Sequence, residues 1–324
     1  MNTPPALHGM QFVKVLHVGE TYRLLAYETT HTGERTYSAS RWVVRVWDPE
    51  VLPAANVRVA AANLQAHANQ RGVETCARIQ SALVDHAGRL VVVQQYVSGP
   101  SLRASIFQRK FGLAEALALG VEMTTALGSV HRTRCHLRVT PSAVRYSKYE
   151  VPRPTKPMLV GLDLAEVVER AGRPAWDSPW ASPRQRAGVG RPTTADDLFG
   201  VAAIVYSMLT AELPPVRAKD WPQFVRPDVP TDVWDLLRST MFPRRLVRPL
   251  TAQHLVDRLG DIEEEMFGYR TGGDDYRPSA AGPRYIQPTP QVWIEPVNQS
   301  PQQPPVVRPA GDPPGGPYPR IGFR

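Results

Sequence analysis

Few residues in this chain have a type and spacing suited to metal or covalent chemistry. Cys76 and Cys135 are its two cysteines; neither belongs to a CxxC pair or a His/Cys cluster. That pattern indicates neither a zinc site nor a disulfide scaffold, and it suits a reducing compartment. Two stretches set an ionic side chain among apolar and turn residues. One runs His136-Leu137-Arg138-Val139-Thr140-Pro141-Ser142-Ala143-Val144, the other Leu162-Asp163-Leu164-Ala165. The charge inside the first is Arg138, and an arginine is permanently protonated and cannot act as a base. In the second, Asp163 is a single carboxylate.

The elements that must position these residues fall into two kinds. Alternating and β-branched runs predict strands within 11–47, at Ile79 to Val84 and at Leu90 to Val97, with a turn at Asp85-His86-Ala87-Gly88. An Ala-rich helix is expected over 54–70. From about Ser101, apolar residues recur at helical spacing over Leu113 to His131, Ala195 to Leu209, Asp232 to Met241 and Thr251 to Met266. A strand-rich first third and a helical remainder imply two lobes. Of 33 prolines, thirteen lie in residues 271–324. Such a segment can neither pair into a sheet nor continue a helix, so a disordered tail with polyproline II character is expected. Its loose PxxP matches, Pro301 to Pro304 and Pro314 to Pro317, are a ligand pattern for aromatic-lined grooves.

In this order and at these spacings, the motifs resemble those of the eukaryotic-type Ser/Thr protein kinase family, over about residues 12–266. The stretch from His136 is similar to the catalytic loop HRDLKPxN. Leu162 to Ala165 resembles the DFG-Leu-Ala region, and Trp180-Ala181-Ser182-Pro183-Arg184 the APE region. Ala195 to Val201 looks like the start of the central buried helix, Thr210 to Pro215 its TGxxPP end, and Arg248-Pro249-Leu250-Thr251 the RPT motif. In the first lobe, Trp42 to Val46 stands at the VAIK strand and Gln95 to Leu102 at the hinge. The resemblance implies an α+β, two-lobed kinase-like fold: a β-rich lobe at 1–97, a helical lobe at 98–267 and the Pro-rich tail at 268–324.

The resemblance also says where chemistry should sit, and there the residues differ. Phosphoryl transfer depends on positioning and charge stabilisation, so its requirements are strict. The phosphate-covering loop retains only Gly19, followed by Glu20, Thr21 and Tyr22. The phosphate-gripping lysine is replaced by the bulkier, forked Arg45. Its glutamate partner is missing, since residues 51–73 contain no acid; Lys14 is read as an ordinary exposed lysine. The catalytic base is replaced by Arg138, the phosphate-contacting lysine by Thr140 and the metal-binding asparagine by Ala143. At the metal-binding aspartate one register places Gly161, the other Asp163, for which a turn or cap role is the alternative. Residues that support the fold persist: His136, Asp197 and Arg248. The usual partner of Arg248 is replaced by Arg184, so that bridge is expected to be absent or re-routed, for instance through Asp177.

Drift would damage anchors and chemistry alike, whereas here mostly the chemistry is gone. The expectation is a pseudokinase acting as a binding, scaffold or regulatory module, with no cofactor. The alternative is a divergent phosphotransferase that binds ATP and Mg²⁺ weakly, with Asp163 as metal ligand. Arg45 and Arg138 would make the former nucleotide cleft basic, suited to an acidic or phosphorylated peptide, unless local carboxylates pair with them and fill it. Protein partners are expected through the helical lobe, the altered cleft or the tail. The net charge of +8 is carried almost wholly by arginines, with lysine only at 14, 110, 148, 156 and 219. These arginines are dispersed without a nucleic-acid-binding motif, so nucleic acid is not an expected partner. Their abundance, with Ala and Pro, suits a GC-rich bacterial genome. Met1 to Met10 shows no signal-peptide pattern, and Leu198 to Leu209 falls short of the ~20 residues that span a bilayer. A cytoplasmic protein is expected.

Overall fold

The computed structural model describes residues 3–19, 21–29, 40–68, 76–146, 157–171, 178–188, 191, 193–222, 226–243 and 251–268. The expected Pro-rich tail lies outside the described residues from 269 on, as do Glu20, Asp177 and Arg248.

Five antiparallel strands open the chain: β1 (Met10–Val18), β2 (Tyr22–Thr29), β3 (Arg41–Trp47), β4 (Ile79–Val84) and β5 (Leu90–Gln95), in spatial order β1-β2-β3-β5-β4. Helix α1 (Ala54–Ala68) connects β3 to β4. In β3, alternation sorts the side chains between two faces. Val44 and Val46 join Leu25, Tyr27, Val91 and Val93 in one buried cluster. Trp47 packs on the opposite face with Leu64 of α1 and Val92. Arg45 falls on the Trp47 side by the same period, so a charge is directed into a buried layer. The β4–β5 turn forms where expected: Gly88 takes φ +74°, and Asp85 Oδ1 accepts the N–H groups of Ala87 and Arg89.

The second lobe contains α2 (Leu113–Val130), the short ladder β6 (Val144–Tyr146) with β7 (Pro157–Leu159), then α3 (Asp163–Ala171), α4 (Pro183–Ala187), α5 (Thr194–Thr210), α6 (Thr231–Met241) and α7 (Ala252–Phe267). From Asp196 to Leu209 every residue of α5 is buried, and the helix packs against α2, α6 and α7. An all-round apolar helix can be stable in water only when enclosed in this way. At Gly120 of α2 a Cβ would lie 3.1 Å from Val205 and 3.2 Å from Leu259, so the missing side chain lets three helices approach closely. Among the described residues α2, rather than Leu198 to Leu209, is the helix long and apolar enough to cross a membrane, but 61% of it is buried inside the protein.

The β6–β7 ladder, α4 and α3 were not expected from the sequence, and α3 bears most on the site. Asp163 is neither a turn nor an isolated cap residue; it begins α3, a nine-residue helix. Isolated helices this short are marginal in water, so its stability comes from packing. Val167 and Leu164 pack into the cluster formed by α1 and the sheet. An i,i+4 pair, Glu166 with Arg170, supports it on another side.

Candidate functional site

The loop after α2 is held from below by α5. The Asp197 carboxylate, 1% exposed, accepts the backbone N–H of His136 at 2.7 Å and of Leu137 at 2.6 Å, and meets His131 Nε2 at 2.9 Å. A buried carboxylate is tolerated when its lone pairs are used in this way. Those bonds hold Leu137 at φ +62°, a left-handed conformation that costs a non-glycine residue about 1–3 kcal/mol. Gln185 of α4 adds a third restraint, donating from Nε2 to the Leu137 carbonyl at 3.0 Å. His136 is fully buried, and its Nδ1 accepts the Arg138 N–H at 3.3 Å. Burial pulls its pKa below the ordinary histidine value, against the opposing fields of Asp197 and Asp163.

Arg138 thereby projects half-buried toward the space between the lobes. Burial lowers its pKa, the Tyr22 hydroxyl opposes that shift, and Arg45 adds to it. Thr140 spends its hydroxyl on a turn, accepting the Ala143 N–H at 3.2 Å. Ala143 is buried and anchors the next strand, its carbonyl accepting the Val160 N–H at 2.8 Å. Gly161 follows at φ +88°; a Cβ there would press to 2.9 Å on Leu164 and reach within 4.0 Å of Arg45 Nη2.

Arg45 and Asp163 meet. The Arg45 Nη1 donates to Asp163 Oδ1, with side-chain exposures of 7% and 0%. The guanidinium also lies 4.8 Å above the Tyr22 ring and 5.9 Å from that of Trp47, and these two rings pack against each other at 5.1 Å. Cation, carboxylate and two aromatic rings therefore pack together where the lobes meet. Of the expected pairing of the cleft arginines with local carboxylates, the Arg45 pair is present. Toward the hinge, Ala77, Val97, Met158 and Val160 pack together, and the lobes are joined by Ala77 N–H to the Leu159 carbonyl at 2.7 Å, while Arg145 Nη1 donates to the Gly99 carbonyl at 3.2 Å within the helical lobe.

Other expected positions take quieter places. Gly19 closes a tight β1–β2 hairpin, its N–H donating to the Tyr22 carbonyl at 3.0 Å, and Lys14 is exposed on β1. Arg184 donates from Nη2 to the Arg191 carbonyl at 2.8 Å; the proposed re-routing through Arg248 and Asp177 lies outside the described residues. Two participants went unnoticed in the sequence. Tyr22 stands in the sequence only as a residue following Gly19 in the loop, and Glu166 gives no signal apart from its i,i+4 spacing to Arg170. Glu166 accepts from Asn63 Nδ2 at 2.9 Å, so α3 supplies α1 with an acid that α1 itself lacks.

The five-stranded sheet with a single helix, joined to a helical lobe built around α5, superposes on solved kinase domains. The fold is that of a protein kinase. The chain is similar to the kinase domain of Mycobacterium tuberculosis PknI, with a TM-score of 0.59 and 16% identity over 79% of this chain and 97% of that one. A double mutant of that domain gives a TM-score of 0.60 and 17% identity over 81% and 100%. At such identity the likeness concerns the fold alone. No family model and no curated protein matches the chain.

Proposed function

We propose that this chain is a pseudokinase: a kinase-fold module that binds or regulates other proteins and transfers no phosphate. The observation that carries this reading is the buried Arg45–Asp163 pair. If Asp163 is the residue left to hold a divalent cation, its carboxylate is already committed to a permanent cation. If Gly161 is the equivalent residue instead, it has no ligand to offer. Either register leaves Arg138 where a proton acceptor is required and Ala143 without an oxygen donor. Tyr22 and Trp47 occupy the space around Arg45. These residues do not fit Mg²⁺–ATP.

The preserved parts support the same reading. Asp197, His136 and the strained Leu137 are costly to maintain, and they hold a loop whose reactive positions have been replaced. A helical lobe kept in this detail suits a recognition surface. Radiolabelled phosphotransfer to the chain itself and to generic protein acceptors, with Mg²⁺ and with Mn²⁺, tests the claim. Incorporation no higher than in a heat-denatured control is expected. Stoichiometric, time-dependent transfer that survives further purification would overturn it.

A further inference from the structure

The arginine at position 184 is not explained by lost catalysis, since the acid it replaces would serve the fold and not the chemistry. Arg184 belongs to α4, which its neighbours hold in place. Ser182 caps the helix, accepting the Gln185 N–H at 3.1 Å and donating to Asp196 of α5. Gln185 donates to the Leu137 carbonyl, and Arg186 donates to the Pro179 and Val216 carbonyls at 3.4 and 2.9 Å. On this mount Arg184 is exposed and gives one N–H to the Arg191 carbonyl. Arg191 is itself exposed, and so is Arg217, which follows the Val216 carbonyl that Arg186 reaches. Among the described residues, Arg184, Arg191 and Arg217 take part in no ion pair. Their exposed neighbours in sequence are Lys219 and the acids Glu212 and Asp220, which leaves a surplus of two positive charges. Leu213 and Val216, 57% and 46% exposed, add apolar area beside the cations.

We infer that α4 and the segments flanking it, around Arg184, Arg191 and Arg217, form a docking surface for an acidic segment of a partner protein. The planar fork of arginine matches a carboxylate bidentately. These three guanidinium groups break no ion pair when an acid arrives, and the fixed mount of α4 lowers the cost of ordering the surface on binding. Aliphatic side chains among the partner's acids would cover Val216 and Leu213. A nucleic acid offers the negative charge without the aliphatic groups, so a polypeptide fits better. The surface rests on the protein-binding half of the proposed function and not on the missing chemistry. Binding and phosphotransfer are separate assays, so absence of peptide binding leaves the phosphotransfer claim standing.

Fluorescence anisotropy of the full chain at about 0.15 M salt provides the test. The labelled probes are a glutamate-rich peptide carrying leucines, its lysine-rich counterpart and a single-stranded DNA oligonucleotide. Binding of the acidic peptide, roughly tenfold or more tighter than of either other probe, is expected. The double variant Arg184→Glu/Arg191→Glu should weaken that binding about tenfold, the scale of two reversed exposed charges. Arg217→Glu should weaken it about threefold. Arg58→Glu makes the same change at an exposed arginine of α1, in the other lobe, and should alter binding by less than about twofold. If the double variant fails to fold by circular dichroism, Arg217→Glu decides against Arg58→Glu. No binding of the acidic peptide overturns the inference. So does binding of the basic peptide or of DNA as tight as that of the acidic peptide, or a loss in Arg58→Glu equal to that in the deciding variant. Unchanged affinity in a folded double variant, or in Arg217→Glu where the double variant does not fold, overturns it as well.

Discussion

Replacing Asp163 by alanine leaves the Arg45 guanidinium buried without its counter-ion, and the cost can be worked out from the surroundings. Both side chains are almost fully withdrawn from water. Breaking a buried pair by deleting one partner costs about 3–5 kcal/mol, because the remaining charge is uncompensated. Tyr22 and Trp47 stay in place, so their cation–π attraction to Arg45 is common to parent and variant and offsets none of this. The net expectation is a loss of about 3–5 kcal/mol. For a domain of this size that corresponds to a fall in melting temperature of roughly 6–20 °C. Urea unfolding followed by tryptophan fluorescence and by far-UV circular dichroism would measure it. The double variant Arg45→Met/Asp163→Leu removes both charges and fills the space, so it should lie within about 1 kcal/mol of the parent. A loss below about 1 kcal/mol in Asp163→Ala, or a double variant as unstable as the single one, would refute the proposed burial of this pair.

Gly200→Ala would ordinarily stabilise a helix by about 1 kcal/mol. Here a Cβ would sit 2.7 Å from both the Cβ and the backbone oxygen of Val139, so overpacking of about 1–3 kcal/mol or more should dominate and lower the urea midpoint. The folded-state pKa of His136 lies below its unfolded value near 6.5. As pH falls below 6.5 the unfolded chain takes up this proton first, so stability falls through the window down to the folded pKa and is unaffected above it. His136→Asn, which keeps an acceptor for the Arg138 N–H, should flatten the slope just below pH 6.5 by up to about 1.4 kcal/mol per pH unit; an unchanged slope would remove His136 from the account. Asp197→Ala removes the acceptor of two backbone N–H groups and should cost several kcal/mol or yield insoluble protein.

What could be read from the sequence depended on how local its physical cause was. β3 and α5 were legible because their periodicity lies within a few residues. That Arg138 cannot act as a base was legible from residue type alone, since no backbone can make an arginine accept a proton. Asp163 was not, because its meaning depends on a partner 118 positions away and on which face of β3 carries Arg45. Gly161 looked like a missing aspartate, whereas its φ of +88° and its tight approach to Leu164 show a position that needs glycine. Helix α3 was hidden for the same reason as Asp163. Nine residues carry too little intrinsic helix signal, and α1 and the sheet stabilise it only after the chain has folded. Tyr22 could be seen to follow Gly19 where the resemblance expects further glycine, but its stacking on Arg45 and Trp47 required the hairpin at Gly19 to be closed first.

The central claim is that a buried ion pair and two aromatic rings stand where nucleotide phosphates and their metal would have to be. Isothermal titration of the full chain with ATP, in the presence of Mg²⁺ and separately of Mn²⁺, tests it most directly. No saturable heat up to millimolar nucleotide is the predicted result. Saturable, metal-dependent binding that disappears in Asp163→Asn would contradict it, because it would mean that Asp163 releases Arg45 and serves the metal instead.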